Sequence, residues 1–324
     1  MSISVVIPTY NQARYIGHSI HSAIAQTKMP AEIVVSDDAS TDDTAEILEQ
    51  LAATTGLISV HRHPHNLGIA KNVDWALRSA IGDYILRLDS DDVISPTALE
   101  QLSSALDADP EAAYSHGAVA EIDAAGNMQR IRRLARGRQQ DAEAALRASL
   151  RGYRVAANLV MFRRSALEQV GYIRSSRNFA EDFNLSVRLA DAGYSNVYVN
   201  DIIGGYRVWA DLSGVRASRK EEELLGLREV FAEAIEPAFR RRNWSMRQVE
   251  RSRRRLAVTH SGALDHIDDV EDRARIRSAV LQLSNGRSVK FVLALRAHGL
   301  GGVISSYRHT VQRSKILVKH MIYR

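Results

Sequence analysis

Cysteine is absent from this chain of 324 residues. Its absence excludes disulfides, thiolate zinc sites, iron–sulfur clusters and a cysteine nucleophile. Aromatic residues make up only 6%, which argues against an all-β sandwich rich in Trp and Tyr. With 45% hydrophobic and 25% charged residues, the composition also excludes a wholly disordered or collagen-like chain. The length allows one large domain or two small ones.

Long apolar runs are also missing. None approaches the roughly 20 residues that a membrane-spanning helix needs. A strand pattern begins within the first few residues, in place of the basic and then apolar segments of a signal peptide. We therefore expect a cytoplasmic protein.

Acidic residues are absent after Asp272. Residues 273–324 contain 11 Lys and Arg, whereas residues 1–272 have a net charge of −6. A basic tail on an acidic body predicts a polyanionic partner, and both an anionic membrane surface and nucleic acid have that charge. The structural alternative is a solvated helical face.

Apolar runs rich in β-branched residues alternate with segments of helical spacing through the first hundred residues. Runs such as ISVVIP and EIVVS lack polar alternation, which is typical of strands buried on both faces of a parallel sheet. The predicted strands are 3–8, 32–36, 58–61 and 83–88, and the predicted helices are 13–26, 44–53, 69–80 and 96–108. These repeats predict a doubly wound α/β fold, with the polar turns that follow the strands at one sheet edge.

The second third of the sequence mixes strands and helices. The predicted strands are 112–122, 159–163 and 196–200, and the predicted helices are 142–150, 165–170 and 182–192. Between them, the basic segment 130–138 is predicted to be a mobile loop. From residue 220 onward the pattern is helical.

An acidic turn, Asp89-Ser90-Asp91-Asp92, ends the fourth predicted strand. Carboxylates at this spacing suit Mg²⁺ or Mn²⁺, with a bound diphosphate supplying further oxygen ligands. Acids packed this closely repel one another unless a cation lies among them. The alternative is an acidic turn that caps the next helix.

Polar side chains also follow the other predicted strands. Asp37 and Asp38 are suited to accept hydrogen bonds from a pyrimidine base or a ribose hydroxyl, and the alternative is Asx-turn and helix-cap chemistry. Thr9 is suited to bond the same base and Tyr10 to stack on it, or the two simply end a strand. Lys71 either binds phosphate oxygens or is an exposed helix residue. No Gly-x-Gly-x-x-Gly or P-loop motif is present, which disfavours nicotinamide dehydrogenases and P-loop enzymes.

Two acids, Glu181 and Asp182, begin a predicted helix. The helix dipole stabilises a charged carboxylate there, and the position suits a general base. The alternative is an ordinary helix cap.

Six segments of the chain occur together in a recognisable order. They are SVVIPTYN, EIVVSDDASTDDT, NLGIAKN, DYILRLDSDD, VMFRRSALEQVG and EDFNLSVRLADAGY. This ordered set, spread over residues 2–210, resembles the family 2 inverting glycosyltransferases of the GT-A fold. The resemblance implies a Rossmann-like, mostly parallel sheet flanked by helices over residues 1–214. It divides into a nucleotide-binding half, 1–95, and an acceptor half, 96–214, and a helical basic region, 215–324, follows.

The resemblance also implies the donor site. Thr9, Tyr10 and Asp38 are expected to hold the nucleobase, with Asp37 beside them. Asp89 and Asp91 are expected to bind the ribose and a Mn²⁺ or Mg²⁺ ion on the diphosphate. The remaining residues expected at the nucleotide sugar are Pro8, Asn11, Asn66, Gly68, Lys71 and Ser90.

On the acceptor side, the resemblance implies that Asp182 deprotonates the acceptor hydroxyl, with Glu181 and Arg207 nearby. Trp209 departs from the family pattern, because it stands where a Tyr-Arg-x-His segment would have its His. Trp209 is expected to stack on a sugar ring or to fill core. In place of the missing His, Asp211 or another group completes the metal shell, or the metal is held less tightly. In the segment NLGIAKN, Lys71 stands where the family usually has Arg, so a point charge replaces a forked guanidinium.

The expected activity is transfer of a sugar from a UDP- or dTDP-sugar to a hydroxyl of a glycan or lipid-linked acceptor, in cell-surface polysaccharide or glycolipid assembly. One alternative is a non-catalytic nucleotide-sugar or glycan binder, which Trp209 favours. Another is a nucleotidyltransferase, which would release pyrophosphate. Nucleic acid binding through the tail is not expected, because the body is acidic and lacks interleaved aromatics.

The end of the chain combines apolar and basic residues at helical spacing. The apolar positions near one face are Val303, Ile304, Tyr307, Val311, Val318 and Ile322. A basic amphipathic helix lies readily on an anionic membrane, so we expect peripheral contact with the inner face of the cell membrane. The alternative is packing on the catalytic domain or on a second subunit.

Overall fold

The computed structural model describes residues 1–152, 159–208 and 216–301. Its strands are β1 (Ile3–Thr9), β2 (Glu32–Asp37), β3 (Ile58–Arg62), β4 (Tyr84–Leu88), β5 (Val93–Ile94), β6 (Ala112–Ile122), β7 (Met128–Arg132), β8 (Gln139–Gln140), β9 (Leu159–Arg163) and β10 (Ser195–Arg207). Its helices are α1 (Ile16–Ile24), α2 (Thr44–Ala52), α3 (Ile69–Ser79), α4 (Ala98–Asp107), α5 (Ala142–Ser149), α6 (Arg164–Val170), α7 (Glu181–Asp191), α8 (Arg216–Glu229), α9 (Glu236–Arg241), α10 (Met246–His260), α11 (Val270–Leu283) and α12 (Arg287–Ala297). A π-helical turn, Val230–Ile235, joins α8 to α9, and a 3₁₀ turn, Ser261–His266, follows α10.

The strands form one mixed sheet in the order β3-β2-β1-β4-β9-β6-β10-β5. Strands β1 to β4 are parallel to one another, and β6 is parallel to β10. Strand β9 runs antiparallel between β4 and β6, and the short strands β5, β7 and β8 are also antiparallel to their partners. The prediction of a mostly parallel α/β sheet flanked by helices is confirmed.

Side chains of the central strands pack on both faces of the sheet because successive residues of a strand point to opposite sides. In β1, Val5 and Ile7 join a core that contains residues of α1, α2 and α4. Val6 of the same strand joins a second core with residues of α3, α6 and α7. Double-sided burial explains why β1 reads as a continuous apolar run rather than an alternating one.

A third core lies within residues 216–301, here called the helical region. Phe231, Phe239 and Leu283 are buried there, and Phe183 of α7 packs among them. Gly226 of α8 is a point of close approach, because a Cβ added there would lie 2.2 Å from the carbonyl oxygen of Phe179. The helical region therefore packs directly against the chain that leads into α7.

The segment predicted as a mobile loop, 130–138, is partly a strand, so that prediction was wrong. Residues up to Arg132 form β7, which pairs antiparallel with β6. The carboxylate of Glu121 on β6 forms ion pairs with Arg130 and Arg132 of β7. This cross-strand neutralisation lets a basic segment join the sheet.

Two other segments bear on the expectations from sequence. Strand β10 runs well beyond the predicted 196–200, because Gly204 and Gly205 continue it and pair with β5. Trp209, Asp211 and the amphipathic segment from residue 303 lie outside the described residues. Among the helices that are described, none has the length and apolar character required to cross a bilayer.

Candidate active site

A cavity of about 290 Å³ opens at the carboxyl edge of the sheet, where β1 and β4 end. The residues that sequence analysis had assigned to the donor or the metal and that line this cavity are Pro8, Thr9, Tyr10, Asp38, Asp89, Ser90 and Asp91. Side chains from several separate turns therefore converge as the parallel topology predicts.

Thr9 contributes a buried hydroxyl to this cavity. Its side chain is only 2% exposed, and its Oγ1 has no hydrogen-bond partner within the described part of the chain. An unpaired buried hydroxyl is costly, and a ligand that supplies a partner removes that cost. Tyr10, the next residue, is exposed and presents its ring at the same cavity.

Asp38 is buried and holds a neighbouring turn in place. One oxygen of its carboxylate accepts from the Leu67 N–H at 2.7 Å and the other from the Gly68 N–H at 2.9 Å. Each carboxylate oxygen has a second lone pair that is available to a ligand. Asp37 does not line the cavity; it accepts from the Ser40 N–H at 3.1 Å and lies 3.5 Å from Arg62.

Four other predicted donor residues lie beside the cavity rather than in its lining. Asn11 accepts from the Thr41 N–H at 2.8 Å, which ties the turn after β1 to the turn after β2. Asn66 donates to the Asp38 carbonyl at 3.3 Å, and Gly68 adopts a φ of 87° that favours glycine. Lys71 is exposed on α3. The first three residues shape the turns, and Lys71 is not among the residues that line the cavity.

The acidic turn after β4 divides into two parts. Asp89, Ser90 and Asp91 line the cavity. Asp92 is fully buried and points away, where its Oδ1 accepts from the Arg207 N–H at 2.8 Å. The third acid of the run therefore fixes the turn, whereas Asp89 and Asp91 both line the cavity.

Arg207 lies beneath this turn. Its Nε donates to the Asp91 carbonyl at 2.8 Å and its Nη1 to the Asp123 carbonyl at 2.5 Å. Its guanidinium also stacks on the Tyr15 ring, 4.4 Å from the centroid. These contacts position the backbone of Asp91 from behind.

Asp89 and Asp91 are the residues that fit a divalent cation. Within the described ranges, no three metal-ligating side chains come together. Mg²⁺ and similar hard cations are commonly held by one or two carboxylates, with water and substrate phosphates as the other ligands. The two carboxylates therefore suit a metal that arrives with, or is completed by, a diphosphate.

Arg87, which sequence analysis missed, links the turn after β4 to the start of α7. This buried residue of β4 contacts Asp89 at 2.9 Å and Glu181 of α7 at 3.1 Å. Although burial opposes its charge, the carboxylates of Asp89 and Glu181 raise the pKa of Arg87. A charged residue in an otherwise apolar buried strand was the signal that could have identified it.

Asp182 follows Glu181 in the first turn of α7 and is half-buried. Burial and the charge of Glu181 raise the pKa of Asp182 to about 7, against the opposing effect of Arg87. Burial also raises the pKa of Glu181, which is paired with Arg87. The Asp182 carboxyl therefore has the affinity for a proton that a general base requires near neutral pH.

Arg219 of α8 reaches the same cavity from the helical region. It is exposed and also lines a second cavity of about 640 Å³, which Phe179 and His260 help to enclose. Sequence motifs gave no indication of this residue, because it lies beyond the six ordered segments.

Solved structures with a similar fold are glycosyltransferases. Residues 1–349 of TarS from S. aureus, in complex with UDP-GlcNAc, match with a TM-score of 0.68 at 19% identity, covering 96% of this chain and 92% of that one. The mannosyltransferase PcManGT from Pyrobaculum calidifontis, in complex with GDP-Man and Mn²⁺, matches with a TM-score of 0.56 at 19% identity, covering 93% and 86%. The fold is thus that of the GT-A glycosyltransferases, as expected.

The family follows from sequence. The family model described as glycosyl transferase family 2 matches residues 4–171, which is more than half of the chain, and the chain belongs to that family. A chondroitin synthase of Pasteurella multocida is 39% identical over 98 residues, or 30% of this chain and 10% of that protein. The poly(ribitol-phosphate) beta-N-acetylglucosaminyltransferase TarS of Staphylococcus aureus is 35% identical over 109 residues, or 33% of this chain and 19% of that protein. The matches therefore span only a small part of these longer relatives.

Proposed function

We propose that this glycosyltransferase moves a sugar from a nucleoside diphosphate sugar to an acceptor hydroxyl with inversion at the anomeric carbon. The observation that carries the proposal is the composition of the 290 Å³ cavity. The unpaired Thr9 hydroxyl and the Asp38 carboxylate suit a nucleobase or ribose, and Asp89 and Asp91 suit a metal-bound diphosphate. A UDP- or dTDP-sugar is the donor we favour, and the likeness to a UDP-GlcNAc complex supports the uridine form.

The chemistry assigned to this chain is a single displacement. The Asp182 carboxylate accepts the proton of the acceptor hydroxyl as that oxygen attacks the anomeric carbon. The new carbon–oxygen bond forms while the bond from that carbon to the diphosphate breaks, and the nucleoside diphosphate leaves. A positioned base contributes about 10²–10⁴-fold to such a rate.

Arg87 and Glu181 have supporting roles in this proposal. Their ion pair fixes the start of α7 against the end of β4, and so holds the base at a set distance from the donor turn. Asp89 and Asp91 are the residues assigned to hold Mn²⁺ or Mg²⁺, with Arg207 positioning the turn from beneath. When bound, the cation neutralises charge on the leaving diphosphate.

The acceptor class is proposed from the relatives. Their names concern chondroitin and poly(ribitol-phosphate), both of which are polymers with repeating hydroxyls. A glycan or lipid-linked glycan in cell-surface polymer assembly is therefore the acceptor we favour. Contact of the basic tail with the inner face of the cell membrane and the cytoplasmic location remain predictions of the sequence. Packing of the tail on the catalytic domain, or on a second subunit in a homo-oligomer, remains the alternative.

A thermal-shift panel tests the donor half of this proposal. Full-length protein is heated with UDP, dTDP, GDP or ADP, each with and without Mn²⁺, beside Asp91→Ala. Ligand at 100 times its Kd adds about 2.7 kcal/mol to the free energy of unfolding, which is readily detected. We expect a Mn²⁺-dependent shift with UDP or dTDP that Asp91→Ala abolishes. No shift with any nucleotide would contradict the proposed donor site.

A further inference from the structure

The helical region contributes one cation to the donor cavity. Arg219, in the first turns of α8, lines this cavity together with Asp89 and Asp91. The same residue lines the neighbouring 640 Å³ cavity. Arg219 therefore stands at the boundary between the proposed donor site and a second, larger space.

The packing of α8 explains how a residue so distant in sequence reaches this position. Arg219 and Gly226 are seven residues apart, so they lie on the same face of the helix, roughly 10 Å apart along its axis. At Gly226 that face approaches the Phe179 carbonyl, only three residues before Asp182. Arg219, two turns earlier on this face, reaches the cavity that Asp89 and Asp91 line.

Charge at the cavity shows what Arg219 is available to bind. The other Arg of the lining, Arg87, is committed to Asp89 and Glu181. Arg219 has neither an ion pair nor a hydrogen bond within the parts of the chain that the structure describes. Lys71, which sequence analysis assigned to phosphate, does not line the cavity. Among the described residues that line the cavity, Arg219 is therefore the arginine available to a ligand with several negative charges.

We propose that Arg219 binds the diphosphate of the nucleotide-sugar donor, so that the helical region completes the donor site. The inference rests on the proposed function, because that function supplies the diphosphate. Guanidinium groups bind phosphate oxygens through paired, charge-assisted hydrogen bonds. In this proposal Arg219 contacts the group that leaves in the reaction, and it reaches the cavity from the helical region.

Two ligands that differ only in the diphosphate test this inference. Binding of UDP and of uridine to the full chain is measured by titration calorimetry in Mn²⁺, for wild type and for Arg219→Gln. We expect about tenfold weaker UDP binding, which corresponds to about 1.4 kcal/mol, with uridine binding unchanged. Arg219→Lys should restore part of the loss, because it keeps the charge without the paired donors.

Two further variants make the comparison specific. Arg228→Gln is the matched control, since Arg228 is an exposed arginine of the same helix that does not line the cavity. It should leave UDP binding as in wild type. Lys71→Gln tests the competing assignment from sequence, and we expect a smaller effect than that of Arg219→Gln.

The outcomes separate failure of the inference from failure of the proposed function. If wild type binds UDP and Arg219→Gln binds it equally well, Arg219 does not bind the diphosphate and the proposed function stands. Equal losses for uridine and UDP, or equal losses in Arg219→Gln and Arg228→Gln, overturn the inference in the same way. If wild type binds neither UDP nor uridine, the proposed uridine donor fails, and the inference fails with it.

Discussion

The carboxyl edge of the sheet, where the proposed donor site lies, is here called the donor edge. It and the helical region hold their polar side chains by different means. At the donor edge, each turn is tied to the next: Asn11 bonds the backbone at Thr41, and Asp38 bonds the backbone at Gly68. Around α8, position depends on packed surfaces such as the contact between Gly226 and Phe179. Hydrogen bonds to the backbone therefore define the donor edge, whereas close packing defines the position of α8.

This difference separates the position of the bound nucleotide from the position of the helical region beside it. A turn network fixes where a nucleotide binds and tolerates little change in the residues that form it. Packing between helices fixes where Arg219 enters the cavity. Arg87 lies between the two arrangements, because it contacts the donor turn through Asp89 and α7 through Glu181.

Replacing Asp182, the proposed base on α7, should affect the chemical step and leave the donor edge intact. Asp182→Asn keeps the size of the side chain but cannot accept the proton. We expect transfer to fall by about 10²–10⁴-fold. UDP affinity, measured in parallel, should stay near that of wild type. Near-normal transfer by a folded variant would show that Asp182 is not the base.

Replacing Arg87, which joins the donor edge to α7, should lower the free energy of unfolding. Arg87→Met removes the charge but keeps much of the volume, and it leaves Glu181 buried without its ion-pair partner. Loss of one partner from a buried pair destabilises a protein by about 3–5 kcal/mol, which urea unfolding would measure. The double variant Arg87→Met/Glu181→Gln should recover much of this loss. No recovery would show that the unpaired charge of Glu181 is not the source of the lost stability.

The contact of α8 with the chain before α7 should be sensitive to one methyl group. In Gly226→Ala the new Cβ would meet the Phe179 carbonyl oxygen, so the helix or the chain must move. We expect a loss of about 1–3 kcal/mol in the free energy of unfolding. Gly17→Ala is the control, since nothing lies within 4 Å of a Cβ at that position in α1. It should stabilise slightly, by about 1 kcal/mol or less.

The pH dependence of transfer should report Asp182. Its raised pKa of about 7 means that the carboxylate form predominates only above that pH. We therefore expect kcat/KM to rise about tenfold per pH unit below pH 7 and to level off above it. A profile that is flat between pH 5.5 and 8 would contradict the assignment. UDP binding over the same range serves as the control for the donor edge.

Much of the donor edge could be predicted because its features are local in sequence. Strands β1, β2 and β4 are rich in buried apolar residues, and Thr9, Asp38, Asp89 and Asp91 lie at or just after the ends of these strands. Parallel topology then brings them to one edge without further information. Sequence alone did not distinguish the side chains that face the cavity from those that hold turns, such as Asn11.

The remaining features depend on contacts between distant segments. Arg87 gains its role from Glu181, which is 94 positions away, and Arg219 gains its role from the packing of α8. The segment 130–138 was predicted to be mobile because its positive charge was visible but the neutralising Glu121 on β6 was not. Neither periodicity nor local motifs encode such pairings.

The central claim is that the sugar is transferred in a single displacement with Asp182 as the base. The stereochemistry of sugar transfer to water tests this claim most directly. UDP-GlcNAc is an α-linked donor, and ¹H NMR identifies the anomer of GlcNAc that forms first when the full chain is incubated with it and Mn²⁺. A single displacement with Asp182 as the base predicts the β anomer, formed by wild type and lost in Asp182→Asn. First formation of the α anomer, or equal release by Asp182→Asn, would contradict the account.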